Sequence, residues 1–229
     1  PCSPAASASS CWSGSAMTSI LNAILVVVLV MNLFALGASR IHAVIRIVAA
    51  QGAILGVIPL LVSKHLSLPT VLIVVATIAI KGVTIPGIMM RALRDTQIKR
   101  EVEPLISRLS STVLGATAIL LALLFADILP LASPHEELLL VPASMATVLV
   151  GFILVTTRYA ALNQIVGYLV LENGIFIFGM LLVEAMPMVV EFGVLLDLVV
   201  GIFVICIIVN HINRAFSSLD TRQLASLKE

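Results

Sequence analysis

The chain alternates long apolar runs with short polar links. Crossing a hydrocarbon core takes about 20 helical residues. Seven runs meet that length, at about 19–38, 42–63, 70–91, 108–129, 139–157, 161–183 and 190–212. In lipid, an open chain satisfies its backbone polar groups only as helix. The pattern therefore predicts an all-α polytopic membrane protein of about seven transmembrane helices. One link is long and carries both charge signs, "ALRDTQIKREVEPLIS" at 92–107. Residues 1–18 are Ser/Ala-rich, with neither a basic start nor an apolar core. They are expected to be disordered, or to lie upstream of a start at Met17, and to carry no function.

Composition agrees with a lipid solvent. The chain is 60% hydrophobic and 11% charged, against about 45–50% and 25% for soluble domains. Charge distribution then gives an orientation. Of 13 basic residues, 11 follow spans 1, 3, 5 and 7: Arg40, Arg46, Arg91, Arg94, Lys99, Arg100, Arg108, Arg158, Arg214, Arg222 and Lys228. The opposite side holds Lys64, with Asp127, Glu136, Glu137, Glu184 and Glu191 near span ends. The N-terminus is expected outside and the C-terminal tail, 214–229, in the cytoplasm of a prokaryotic cell. The link 92–107 is then cytoplasmic too. A net charge of +1 gives no reason to expect a nucleic-acid partner.

Three ionisable residues lie well inside spans: Lys81, Glu172 and Asp197. A charge at mid-bilayer costs at least about 2.5–3.5 kcal/mol on insertion scales, so it faces protein or water and marks an ion or proton path. Glu172 is near the middle of span 6, with Tyr168 one turn before it as a hydrogen-bond partner and Asn173 beside it. Asp197 lies between Gly193 and Gly201, a small–acid–small stripe that lets another helix approach. Lys81 shares a predicted face with Thr77 and Thr84. Pro86 removes the backbone bond to the Gly82 carbonyl, and Gly82 and Gly87 soften the same turn. A broken helix beside a buried lysine is one way to build an ion path. For each of the three charges the plainer reading is structural, an ion pair, hydrogen bond or cap that holds helices together.

Other polar residues read more simply. Asn32, Gln51, Asn163 and Asn173 are expected to make interhelical hydrogen bonds. Glu184 and Glu191 frame the link between spans 6 and 7 as solvated charges. The cysteines (Cys2, Cys11, Cys206) and the four histidines have no metal-ligand spacing. There is no nucleophile elbow, phosphate loop or haem-spaced histidine pair. The chain is expected to hold no cofactor and to catalyse no covalent chemistry alone.

Two segments look alike at an offset of 118: "SRIHAVIRIVAAQGAILG" (39–56) and "TRYAALNQIVGYLVLENG" (157–174). Each opens a helix, and a helix with one charge follows each, Lys81 in the first copy and Asp197 in the second. Internal repeats are frequent in membrane transport folds. Chance likeness between Ile/Val/Ala-rich helices is the rival reading.

The stretch from 157 to 174, followed by "VVEFGVLLDLVVGIFVICIIV" (189–209), resembles the C-terminal part of the hydrogenase-4 component E family. The matching positions are Gly167, Tyr168, Glu172, Asn173 and Gly174, then Glu191, Gly193 and Asp197. Lys81 and Pro86 match a lysine and proline in that family's third helix. The family's last three helices, 130–213 here, in turn resemble the K subunit of respiratory complex I. Asp197 falls where that subunit carries its second glutamate. Leu169 falls where it carries the first, and Glu172 lies about one turn later. The resemblance implies a subunit of a group 4 hydrogenase or formate hydrogenlyase-like complex in the cell membrane. Its partners would be antiporter-like membrane subunits, a redox-linked membrane anchor and a soluble redox module. Ni–Fe and iron–sulfur centres would belong to those partners. A stand-alone ion-coupled transporter and a structural scaffold subunit are the rival classes.

Overall fold

The computed structural model describes the backbone of residues 8–62, 68–95, 106–126, 139–158 and 161–182, with single positions at 128, 193, 203 and 207. The described elements are helical: α1 (Ala8–Gly37), α2 (Ile41–Val62), α3 (Leu68–Thr77), a π-helical segment (Ile78–Thr84), α4 (Ile85–Asp95), α5 (Arg108–Ala126), α6 (Leu140–Thr156) and α7 (Ala161–Leu182). No strand occurs among the described residues.

Among the described residues, five helical stretches are long and apolar enough to cross a membrane: Met17–Gly37, Ile41–Leu60, Val74–Arg91, Arg108–Ala126 and Leu162–Leu181. These fall on predicted spans 1, 2, 3, 4 and 6. The fifth predicted span is α6, an apolar helix of 17 residues, about 25 Å long at 1.5 Å per residue. The seventh, 190–212, lies outside the described residues, although Gly193, Phe203 and Ile207 are each helical. Many large apolar side chains point outward, among them Phe34, Leu72, Val83, Leu109, Phe152 and Ile175. Such a surface suits lipid and not water.

Helix α1 begins at Ala8, ahead of Met17. Once a transmembrane helix supplies the costly nucleus, adding further turns is cheap, and the Ala/Ser stretch before Met17 continues it.

The third predicted span is not one regular helix. Its middle is widened into seven π-helical residues, and the Ile85 amide closes the last turn on the Ile80 carbonyl, five residues back. Pro86 explains the position. It cannot donate to Gly82, and its ring crowds that carbonyl. The helix absorbs the lost bond as a π-bulge before returning to α geometry.

Helices α6 and α7 form a close pair, because their glycines put backbone against backbone. A Cβ on Gly167 would lie 2.6 Å from the Val155 nitrogen. One on Gly174 would lie 2.6 Å from the Val148 nitrogen and 3.0 Å from the Ser144 carbonyl oxygen. Helix α5 adds a stripe of small buried residues: Ser111, Gly115, Ala118, Ala122 and Ala126. It packs on α1 and α6. The two look-alike segments occupy matching places: Arg40 ends the link from α1 to α2, and Arg158 lies in the link from α6 to α7. Helix α1 packs on α6 and α2 on α7, so two helical hairpins face each other.

The seam gives a direct test. Gly174→Ala and Gly167→Ala should each destabilise the protein by about 1–3 kcal/mol through overpacking. Gly179 has nothing within 4 Å of its Cβ position. Gly179→Ala should therefore be neutral or stabilising, by up to about 1 kcal/mol from helix propensity. Thermal unfolding of the detergent-purified variants checks the contrast.

Candidate functional site

Two of the three mid-span charges meet. The Lys81 Nζ lies 3.4 Å from Glu172 Oε1, and only 9% and 8% of the two side chains remain exposed. Lys81 comes from the π segment and Glu172 from the middle of the 22-residue α7. The same ammonium sits 5.6 Å from the centroid of the Phe176 ring, one turn beyond Glu172. An aromatic face stabilises a cation whose water has been removed. Carboxylate and ring thus enclose Lys81 from one helix.

Helix α2 completes the enclosure. A Cβ on Gly52 would come within 3.2 Å of Lys81 Cβ and 3.9 Å of the Asn173 Oδ1. The missing side chain lets the lysine stem lie along the α2 backbone. Asn173 is itself buried, so the predicted pair Glu172–Asn173 faces this junction. Lower along the contact, Gly56 stands against Ile78 and Thr77. Thr77 therefore packs toward α2 as the helix enters the π segment.

One residue from Gly52, a second polar group is built only from neutral side chains. The Gln51 amide donates to Asn32 Oδ1 at 3.0 Å, and the Asn32 amide donates to Thr147 Oγ1 at 2.9 Å. The Thr147 hydroxyl donates to the Ala143 carbonyl. Asn32, Gln51 and Thr147 are all fully buried. This chain joins α1, α2 and α6, as the predicted interhelical hydrogen bonds of Asn32 and Gln51 require. The Gln51 Oε1 is left without a hydrogen-bond partner.

The supporting residues are placed as follows. Thr84 does not share the Lys81 face. It is exposed, and its hydroxyl donates back to the Ala79 carbonyl at 2.9 Å. The wider π turn rotates it off the face that α spacing would give. Tyr168 is half-buried against the apolar core near Val166 and Leu169. Glu172 is paired with Lys81. Pro86 acts from a distance, by placing the π segment. Asp197 and Glu191 lie outside the described residues. Among those described, no group of three His, Cys, Asp or Glu side chains could hold a metal.

Arg158, one of the basic link residues that give the expected orientation, is only 2% exposed. Its Nη2 donates to the Leu36 carbonyl at 2.9 Å, at the C-terminus of α1. The Gln164 amide fixes the Arg158 carbonyl at 3.1 Å. Burial, and then the like charge of Arg108, lower its affinity for its proton below the ordinary arginine value. It still stays charged at any physiological pH. Basic residues in links usually report topology, and no sequence signal separated this one from the others.

No protein-family model matches the chain, and no solved structure matches it. The uncharacterized protein Rv0085 of Mycobacterium tuberculosis is 30% identical over 191 residues, 82% of this chain and 87% of that protein. Hydrogenase-4 component E of Escherichia coli K12 is 27% identical over 150 residues, 65% of this chain and 68% of that protein. Hydrogenase-4 component E of Shigella flexneri matches over the same shares.

Removing one member of a buried ion pair leaves an uncompensated charge, at a cost of about 3–5 kcal/mol. Lys81→Met should therefore destabilise the protein by about that amount. Adding Glu172→Gln should recover part of the loss. A double-mutant cycle in detergent unfolding measures the coupling.

Proposed function

Because the chain belongs to the family of the Mycobacterium tuberculosis protein Rv0085 and has a more distant relative in hydrogenase-4 component E, we propose that it is a membrane subunit of a hydrogenase-type redox complex. Within it the chain contributes buried charges to a proton path. The single observation that carries the reading is the Lys81–Glu172 pair, buried across a widened helix in mid-span. Charges are rare at that depth and mark ion or proton routes.

The pair works by charge coupling. With Glu172 ionised, the ammonium of Lys81 is balanced. A proton arriving on Glu172 cancels the carboxylate and leaves Lys81 as an uncompensated cation beside Phe176. At low dielectric that imbalance acts strongly on the next titratable group. Asp197, in the seventh predicted span, is the next acid in this proposal, with charges on neighbouring subunits beyond it. Gln51 and Asn173 supply fixed polar surface beside the route. Electrons run through Ni–Fe and iron–sulfur centres in partner subunits and not through this chain. Antiporter-like membrane subunits and a redox-linked anchor flank it, with the C-terminus on the cytoplasmic side. The K-subunit likeness of 130–213 supports the same placement.

Affinity purification of the full chain in mild detergent tests the assembly. Co-purification of antiporter-like subunits and a soluble redox module is expected. Isolation of the chain alone, with retained ion transport in vesicles, would favour a stand-alone transporter. In the intact complex, Glu172→Gln should abolish proton translocation per turnover while hydrogen or formate turnover persists. Unchanged translocation with normal assembly would remove Glu172 from the path.

A further inference from the structure

The ammonium of Lys81 has two anchors on one helix, and they differ in kind. Glu172 and Phe176 are four residues apart on α7, so they share a face. The carboxylate attracts the ammonium only while it is ionised. The ring face carries a permanent negative potential. Its position is fixed as well, because Phe176 packs against the apolar cluster that holds Leu25, Val28, Ala143 and Ile177. The Lys81 Nζ lies 3.4 Å from Glu172 Oε1, longer than a charge-assisted bond of about 2.7–2.9 Å. At 5.6 Å from the ring centroid it is already within the roughly 6 Å over which an aromatic face attracts a cation. The ammonium is thus shared between ring and acid.

The lysine stem limits how far the charge can move. A Cβ on Gly52 would lie 3.2 Å from Lys81 Cβ and 3.9 Å from its Cδ. Contact with α2 therefore holds the side chain as far as Cδ and leaves Cε and Nζ to pivot. Gly52 of α2 and Asn173 of α7, which meet at this junction, are both neutral. We infer that Phe176 is the second seat of this cation: when Glu172 is neutralised, the tip of Lys81 pivots onto the ring and the charge stays at the junction. An ammonium that instead snorkelled toward water would dissipate the charge change a proton makes on reaching Glu172. Phe176 is therefore a positioning residue, acting through Lys81. Its importance for proton translocation rests on the function proposed above; the seat itself does not.

Equilibrium unfolding of the full chain in detergent tests the seat. Phe176→Leu keeps an apolar side chain and removes the ring face. Its cost should be smallest in a Lys81→Met background, larger in the wild type and largest with Glu172→Gln, which mimics the neutralised acid. The extremes should differ about tenfold in the unfolding equilibrium, the size of a desolvated cation–π contact. Phe176→Tyr, which keeps the face, should restore the wild-type pattern. A cost no larger with Glu172→Gln than in the wild type would overturn the inference. Because Glu172→Gln can fail to fold, mono-, di- and trifluorinated phenylalanine at position 176 supplies a second measurement. Fluorine withdraws charge from the face at nearly constant shape, so stability should fall step by step, and a flat series would overturn the seat. In the intact complex, Phe176→Leu should lower proton translocation per turnover severalfold and Phe176→Tyr should retain it. The expected unfolding pattern with unchanged translocation would uphold the seat and remove the pair from the proton path.

Discussion

Two opposite charges 3.4 Å apart survive in an apolar bundle only because each cancels the other's desolvation cost. That requirement organises the surrounding structure. The ammonium must reach across from a neighbouring helix, so its stem needs a bare backbone to lie on, and Gly52 supplies one. The cation needs a second source of negative potential, and the Phe176 face provides it. The lysine helix leaves ideal geometry at this level, and Pro86 makes that departure permanent. On the other side, the carboxylate needs a fixed platform, and the glycine contacts between α6 and α7 hold one. Alteration of any of these would shift the separation on which the pair's balance depends.

The neutral chain Asn32–Gln51–Thr147 is built on a different principle. Its members cannot change charge, and interhelical hydrogen bonds of this kind are each worth only about 0.6 kcal/mol on average. Its value lies in register. It ties α1, α2 and α6 at one level, so that Gly52, one residue from Gln51, meets the lysine. A static polar cluster thus lies beside an ionisable one, with α2 contributing to both.

Much of this was legible in the sequence. The apolar runs predicted each described membrane helix, because lipid leaves few alternatives to a helix of that length. Lys81 and Glu172 stood out as charges in the wrong solvent, and Pro86 marked the irregular turn. Their pairing was not legible, because nothing in a single chain says which helix faces which. Thr84 was misplaced because α spacing does not hold through a π segment. Arg158 hid among basic link residues, where charge is ordinarily solvated. Gly167 and Gly174 were visible as part of a motif, but their role as backbone contacts emerges only with α6 in place.

The glycine seam has a mechanical consequence. Where backbones touch, there are no side chains to rotate or compress, so α6 and α7 resist relative sliding as one stiff member. The contact between α2 and the π segment contrasts with it, being made through a long lysine, an aromatic ring and a non-ideal turn. Close-packed matter passes displacement on and loose joints absorb it. The bundle is therefore stiff on the carboxylate side and compliant on the ammonium side, and strain applied to it would be taken up at Lys81.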